Sequence, residues 1–154
     1  MAQTTSLDTL IELARKARDR AGQALAEGRQ QSQQAEAQLA RLHAYREEYA
    51  AQLQNLMTRG IEASTLANYR HFLGSLDEAI QSARQALDQQ QQRVETTRQH
   101  WQQEQRQLTS FDTLAQRRAC AVQRREIRQE QRLGDEICNQ LVARNRRAMQ
   151  AEQE

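Results

Sequence analysis

The residue types that most often do chemistry in proteins are few in this sequence and widely spaced. Its three histidines, His43, His71 and His100, lie so far apart that no two share a helical turn, so they offer no ligand pair for a metal ion. Cys120 and Cys138 are eighteen residues apart, too far along one expected helix to form a disulfide, and are expected to be reduced surface thiols. The sequence therefore predicts no metal site.

Motifs of enzyme active sites do not occur either. The chain has no phosphate-binding loop, dinucleotide-binding glycine motif, nucleophile elbow or HExxH zinc motif. Its carboxylates are expected on exposed helix faces, without the enclosed pocket that a catalytic acid or base needs. We predict a protein that is not an enzyme, with no catalytic residue and no cofactor.

Composition favours long helices over a compact globular domain. The 154 residues include no proline, five glycines, about 4% aromatic residues and twenty-seven glutamines, so little would end a helix or fill a thick core. The mean hydropathy of -0.98 would also suit a disordered chain, but disordered segments do not maintain regular apolar spacing. No apolar run approaches the roughly 20 residues of a membrane span, and residues 1–6 lack the features of a signal peptide. We expect a cytoplasmic protein without direct membrane insertion.

Apolar residues recur with alternating spacings of four and three along two tracks separated by Gly60. The first track comprises Leu7, Ile11, Ala14, Arg18, Ala21, Leu25, Gly28, Ser32, Ala35, Leu39, Leu42, Arg46, Tyr49, Leu53 and Leu56. The second comprises Leu66, Tyr69, Leu73, Leu76, Ile80, Ala83, Leu87, Gln90, Val94, Thr97, Trp101, Glu104, Leu108, Phe111, Ala115, Arg118 and Val122. This is the spacing of core positions in a coiled coil, here called the seam. The predicted fold is all-α, a long two-helix antiparallel coiled-coil hairpin whose second helix overhangs the first. A parallel homodimer of extended chains is the alternative, which the glycine break disfavours.

This hairpin divides the chain into four predicted segments. Thr5 or Ser6 is expected to begin the first helix, and Ser64 or Thr65 to cap the second. The second helix is expected to run to roughly residue 145. The segments are an N-terminal helix over 1–58, a hinge over 59–64, the paired part of the C-terminal helix over 65–115, and a basic helical overhang with a frayed tail over 116–154.

Folding back at Gly60 gives a testable register. Pairing Leu56 with Leu66 places Gly28 opposite Val94, and large residues repeatedly meet small ones. The same register sets Ala21 against Trp101, Ser32 against Gln90 and Arg18 against Glu104. The last pair is expected to form an ion pair that specifies register; alternatively, the Arg18 side chain extends to water without a fixed partner.

The two edges of the seam differ in charge. One edge carries exposed charged pairs, with Glu36 expected near Arg84 and His43 near Asp77, each worth about 0–1 kcal/mol. The other edge is nearly uncharged, and its members near the hinge, here called the uncharged strip, are Gln38, Tyr45, Phe72 and Ala79. Exposed aromatic side chains among small and amide residues are typical of protein interfaces. Alternatively, Tyr45 and Phe72 only thicken the core near the turn.

Basic character is concentrated in residues 116–154, here called the basic segment. Residues 1–115 carry thirteen Lys or Arg against fourteen Asp or Glu, a net charge of -1, whereas the basic segment carries nine Arg against six acids, a net charge of +3. Ile127, Leu133, Ile137 and Leu141 add a narrow apolar stripe that would suit a docking helix. A nucleic-acid partner is a weaker hypothesis, because acidic residues interleave and no aromatic residue or binding motif is present.

Many residues, in collinear order over roughly residues 5–140, together resemble the FliJ family of the bacterial flagellar type III export apparatus. They are Leu42, Tyr45, Arg46, Glu48, Tyr49, Leu53, Leu66, Asn68, Tyr69, Phe72, Leu73, Leu76, Ala79, Ile80, Trp101, Arg124, Arg125, Glu126, Arg128, Gln129, Gln131, Asp135 and Glu136. The resemblance implies an antiparallel coiled coil similar to the gamma-subunit stalk of rotary ATPases. Such a stalk would insert into or cap a hexameric export ATPase, promote assembly of its ring, contact the cytoplasmic domain of the large export-gate membrane protein, and escort substrate-specific export chaperones.

The resemblance also assigns partner-binding residues. The gate-binding surface carries over onto Gln38, Leu42, Tyr45, Tyr49, Phe72, Leu76 and Ala79. Position 83 departs from the family, where a larger polar residue can occur, because this chain has Ala83. By analogy, the paired termini and the basic segment would engage the ATPase ring, through Arg117, Arg118, Arg124, Arg125, Arg128 and Arg132.

The function expected from the resemblance is that of a non-catalytic stalk and coupling component of flagellar export. It would be cytoplasmic, peripherally associated with the inner-membrane export apparatus, and without a nucleic-acid partner. Two alternatives remain open at this point: a coiled-coil stalk of a related virulence secretion system, and an arginine-rich helical protein that associates with nucleic acid.

Overall fold

A computed structural model describes residues 6–151 and contains two long helices. Helix α1 spans Ser6–Arg59 and helix α2 spans Ala63–Ala151. The two helices pack against each other, and no strand occurs within residues 6–151. The predicted all-α helical hairpin, with the second helix the longer, is therefore confirmed. Thr5 lies outside the described residues.

Gly60 makes the turn between the helices. Its φ angle of +89° lies in the left-handed region, which side chains with a Cβ atom rarely adopt. Helix α2 then begins at Ala63 and its first turn includes the bond from Leu66 N to Glu62 O, 3.0 Å long. The expected caps Ser64 and Thr65 are wrong, because the helix begins before them and both lie within its first turn. At its other end α2 continues beyond residue 145 to Ala151.

The chain divides into two compact units. Residues 12–107, here called the paired unit, contain most of α1 and the first half of α2. The buried residues of this unit are Ala14, Ala21, Leu25, Ser32, Leu76 and Ile80. All six are predicted seam positions, so the alternation of four and three correctly identified the core of a two-helix pair.

The second unit, here called the terminal unit, comprises residues 6–11 and 108–151 of the described chain. Its buried residues are Leu7 and Leu108, which are also seam positions. Every residue from Gln116 to Ala151 is exposed, so the last two predicted seam positions, Arg118 and Val122, are wrong as core positions. Helical hydrogen bonding thus continues in α2 where no burial supports it.

Contacts in the paired unit agree with the predicted antiparallel register. A Cβ atom built on Gly28 would lie 3.4 Å from Val94 Cγ2, as expected for facing residues. Trp101 lies against the residue next to its predicted partner, since its Nε1 is 3.4 Å from a Cβ atom built on Gly22. Gln90 contacts α1 close to its predicted partner Ser32. Its Nε2 donates to Gly28 O at 3.3 Å and to Gln31 Oε1 at 3.1 Å rather than to Ser32.

The predicted ion pair between Arg18 and Glu104 is wrong. Arg18 donates to Asp19 Oδ1, at 3.0 Å from Nε and 2.8 Å from Nη2, and Glu104 Oε1 lies 3.8 Å from His100 Nε2. The Arg18 side chain is 33% exposed, because a two-helix seam is thin enough for a long side chain to reach water. An acid on its own helix is then as good a partner as one across the seam, so this position does not specify register.

Candidate functional site

Two surfaces were predicted to bind partners, and each is described within its own unit. The gate-binding candidates all lie in the paired unit. On α1 they are separated by four, three and four residues, and on α2 by four and three, so each set follows one face of its helix. The members are Gln38, Leu42, Tyr45 and Tyr49 on α1 and Phe72, Leu76 and Ala79 on α2.

These candidate residues differ in burial, from buried in the seam to exposed at the surface. Leu76 is buried, whereas Leu42, Tyr49 and Ala79 are half-buried. Gln38 is exposed, and the Tyr45 residue is 51% exposed. Tyr45 therefore presents about half of its surface to solvent.

Phe72 has both a packing contact and a free surface. Its ring and that of Tyr49 have centroids 4.6 Å apart and planes inclined at 59°, a tilted arrangement that aromatic pairs favour. Phe72 is nevertheless 41% exposed. The contact joins the two helices directly, so the structure brings these two predicted site residues together. Ala83, where the sequence departs from the family, is half-buried.

A shallow cavity adjoins this aromatic pair. Its volume is about 170 Å³, and it is lined by Tyr49, Asn68, Tyr69 and Phe72. Asn68 and Tyr69 were not among the predicted binding residues. The signal that could have found Asn68 is its spacing, because it precedes Phe72 by one helical turn.

The charged edge has different pairs from those predicted. Arg46 donates from Nε to Asp77 Oδ1 and from Nη2 to Oδ2 at 3.5 Å, and Arg84 Nη2 donates to His43 Nε2 at 3.4 Å. His43 and Asp77 line the same cleft, as their expected proximity requires, but neither His43 with Asp77 nor Glu36 with Arg84 forms a direct pair. Exposed pairs differ little in energy, so small differences in reach decide among the partners.

These charged side chains line an open cleft of about 590 Å³. The hydrogen bond from Arg46 lowers the pKa of the Asp77 carboxyl, and the same bond raises the pKa of the Arg46 guanidinium. The cleft contains both signs of charge and no enclosed acid or base. Its chemistry is that of a solvated helix edge.

The second predicted surface lies in the terminal unit. All six candidate arginines are exposed, namely Arg117, Arg118, Arg124, Arg125, Arg128 and Arg132. The apolar stripe is exposed as well, from 46% at Ile127 to 60% at Leu133. The basic segment therefore presents arginine and apolar side chains together along one helix.

Neither surface, in its described part, holds a cluster of metal-ligating side chains. Within residues 6–151 no group of three or more His, Cys, Asp or Glu side chains is placed to hold a metal ion. Cys120 and Cys138 are exposed and free. In the same part of the chain, neither helix has a stretch long and apolar enough to cross a membrane.

The geometry defines a class of protein, an antiparallel helical hairpin with one uncharged aromatic edge and one charged edge. The family model described as "Flagellar FliJ protein" matches residues 3–147. Proteins of that name from Salmonella typhi and from Escherichia coli strain K12 are each 35% identical to the chain over 144 residues, which cover 94% of this chain and 98% of theirs. The chain therefore belongs to the flagellar FliJ family.

Membership confirms the resemblance and places the chain among the components of flagellar protein export. The alternative of a virulence secretion stalk is thereby set aside. The family is non-enzymatic. The comparisons assign no partner to individual residues of this chain, so the two surfaces remain predicted binding sites.

Proposed function

We propose that the chain is a non-catalytic stalk and coupling component of flagellar type III export, which links the export ATPase ring to the export gate. The observation that carries the proposal is the difference between the two edges of the paired unit. A partner that covers the uncharged strip desolvates aromatic, alanine and amide groups, whereas one that covers the charged edge must also desolvate the Arg46–Asp77 pair. Burial of an ion pair costs several kcal/mol of desolvation unless good pairing geometry and further hydrogen bonds compensate for the lost water.

The gate contact uses the seven predicted residues. Tyr45 and Phe72 supply exposed aromatic surface, and large aromatic side chains are the most frequent hot spots of interfaces. Leu76, which is buried, contributes by holding the neighbouring residues in place. The partner is the cytoplasmic domain of the large export-gate membrane protein, which would keep the chain at the inner membrane without a span of its own.

The ATPase contact uses the basic segment. Among residues 116–151 there are nine arginines and four acidic residues, so an acidic surface would attract this helix and accelerate association. Binding there would promote assembly of the hexameric ring. Substrate-specific export chaperones are the third partner, which the chain would escort to the gate.

Mixing the purified chain with its cognate export ATPase tests the proposal. Hexamer formation and ATP hydrolysis should both rise, and Arg124→Gln with Arg125→Gln should reduce the effect. The matched control is Arg20→Gln with Arg41→Gln, which removes two exposed arginines of the paired unit. Unchanged hexamer formation and hydrolysis on addition of the wild-type chain would refute the stalk role.

A further inference from the structure

The cavity beside the uncharged strip is shallow and open to solvent. Its volume is about 170 Å³. Three of its four lining residues, Tyr49, Tyr69 and Phe72, are aromatic, and none is charged. The cavity is therefore suited to a flat apolar group.

The lining rings are arranged to receive such a group. Tyr49 and Phe72 meet at 59° with centroids 4.6 Å apart, and both rings line the cavity. A third ring in the cavity would make further aromatic contacts with these rings, which stabilise a complex beyond the burial of apolar surface. Asn68 is exposed at the rim, where its amide can bond a hydroxyl or peptide group beside the incoming ring.

We propose that this cavity receives one aromatic side chain of the export gate's cytoplasmic domain, and that Asn68 and Tyr69 determine specificity there. The inference rests on the proposed gate contact. The occupant follows from continuity, because Phe72 belongs both to the uncharged strip and to the cavity wall. A partner that covers the strip therefore also covers the cavity. A buried ring there would leave no void between the two proteins.

Binding of the purified gate domain to full-length variants, measured by titration calorimetry, tests the inference. Asn68→Glu places a charge on the rim that an aromatic occupant would desolvate, and should weaken binding by about tenfold or more. Asn68→Gln keeps the amide and should bind as the wild type does. The matched control is Asn55→Glu, the same change at an exposed position of α1 outside the seam and the strip.

A second measurement observes the cavity directly. In NMR spectra of the full chain, the ring signals of Tyr69 and Phe72 should shift on addition of the gate domain, while those of Trp101 stay in place. Circular dichroism of each variant checks that it remains helical.

The outcomes separate this inference from the proposed function. Normal binding by Asn68→Glu, or equal losses in Asn68→Glu and Asn55→Glu, would overturn the cavity inference. If Tyr45→Ala still loses binding, the gate contact itself stands. If the wild-type chain does not bind the gate domain, or if Tyr45→Ala and Asn68→Glu both bind normally, the proposed gate contact and the inference fail together.

Discussion

The contact between Gly28 and Val94 provides the strongest test of the register from which both edges were derived. A Cβ atom at position 28 would sit 3.4 Å from Val94 Cγ2, which is an ordinary van der Waals distance. Alanine therefore fits, and Gly28→Ala should stabilise the hairpin by up to about 1 kcal/mol through helix propensity. Larger side chains must place further atoms where Val94 already lies.

Gly28→Leu should therefore lose all of that gain and be up to about 2 kcal/mol less stable than the wild type. Overpacking of a close contact costs about 1–3 kcal/mol, against a propensity gain of roughly 1 kcal/mol. The matched control is Gly74→Leu, because nothing lies within 4 Å of a Cβ atom built on Gly74. We expect Gly74→Leu to be more stable than Gly28→Leu by about 1–3 kcal/mol.

Urea unfolding followed by the helical circular dichroism signal measures these free energies. Val94→Ala removes two methyl groups and should partly rescue Gly28→Leu, with a coupling of about 0.5 kcal/mol or more in a double-mutant cycle. In a chain whose Cys120 and Cys138 are replaced by serine, Gly28→Cys and Val94→Cys should also crosslink within one monomer. Additive free energies, together with crosslinked dimers alone, would refute the register and favour the extended dimer.

Further predictions concern the turn, the charged edge and the two surfaces. Gly60→Ala should destabilise the chain by about 1–2 kcal/mol in the same unfolding assay, because the φ of +89° at this position is unfavourable for alanine. Steric clash is not the cause, since nothing lies within 4 Å of a Cβ atom built on Gly60. The hydrogen bond from Arg46 lowers the pKa of Asp77, so this bond stabilises the fold at pH values above 3.8, the ordinary pKa of an aspartate, and is lost as the pH falls below it. The difference in melting temperature between the wild type and Asp77→Asn should therefore shrink as the pH is lowered below 3.8. Tyr45→Ala with Phe72→Ala should abolish gate capture at unchanged helicity, and a large loss of stability would instead show that both are core residues. Fluorescence titration with nucleic acid should stay flat at low salt, whereas binding that falls steeply with added salt would support the nucleic-acid alternative.

Apolar spacing predicted the core of this fold because a coiled coil has almost no other way to bury side chains. Leu25 and Ile80 are buried as the four and three alternation predicts, although its last position, Val122, is 53% exposed. Gly60 was equally informative, since the left-handed turn between two helices has a strong residue preference. The fold therefore follows from local rules that act along the whole chain.

Polar pairing was much harder to predict than the core. Arg18, His43 and Asp77 each have a partner other than the one expected. Long side chains at a solvated edge have several acceptors within reach, and the alternatives differ by less than about 1 kcal/mol. The position of a residue in the seam pattern determines where its Cβ atom lies, but it does not determine which partner the end of a long side chain reaches.

The candidate site was predicted as a set of positions and not as a shape. Tyr45 and Phe72 were identified because they break the charge pattern of an edge, which is visible in sequence. The cavity was missed because Asn68 lies outside the seam and its edges, and because a concave surface depends on how the rings of Tyr49 and Phe72 tilt. Ring tilt is set by packing between the helices, so it has no counterpart in the spacing of residues.

The core of a two-helix pair is thin, and this explains why partner binding should depend on the charge of its two edges. In a two-helix pair every residue is within one layer of solvent, so no charge can be hidden and each edge keeps the chemistry of its own side chains. Covering the charged edge would strip water from the Arg46–Asp77 bond, which stabilises little while it stays exposed and costs several kcal/mol when desolvated without compensation. Covering the uncharged strip buries Tyr45 and Phe72 at about 25 cal/mol for each Å² of apolar surface and disturbs no ion pair. In the proposed function, a partner would therefore dock on the uncharged strip rather than on the charged edge, and this asymmetry would orient it without any change in the fold.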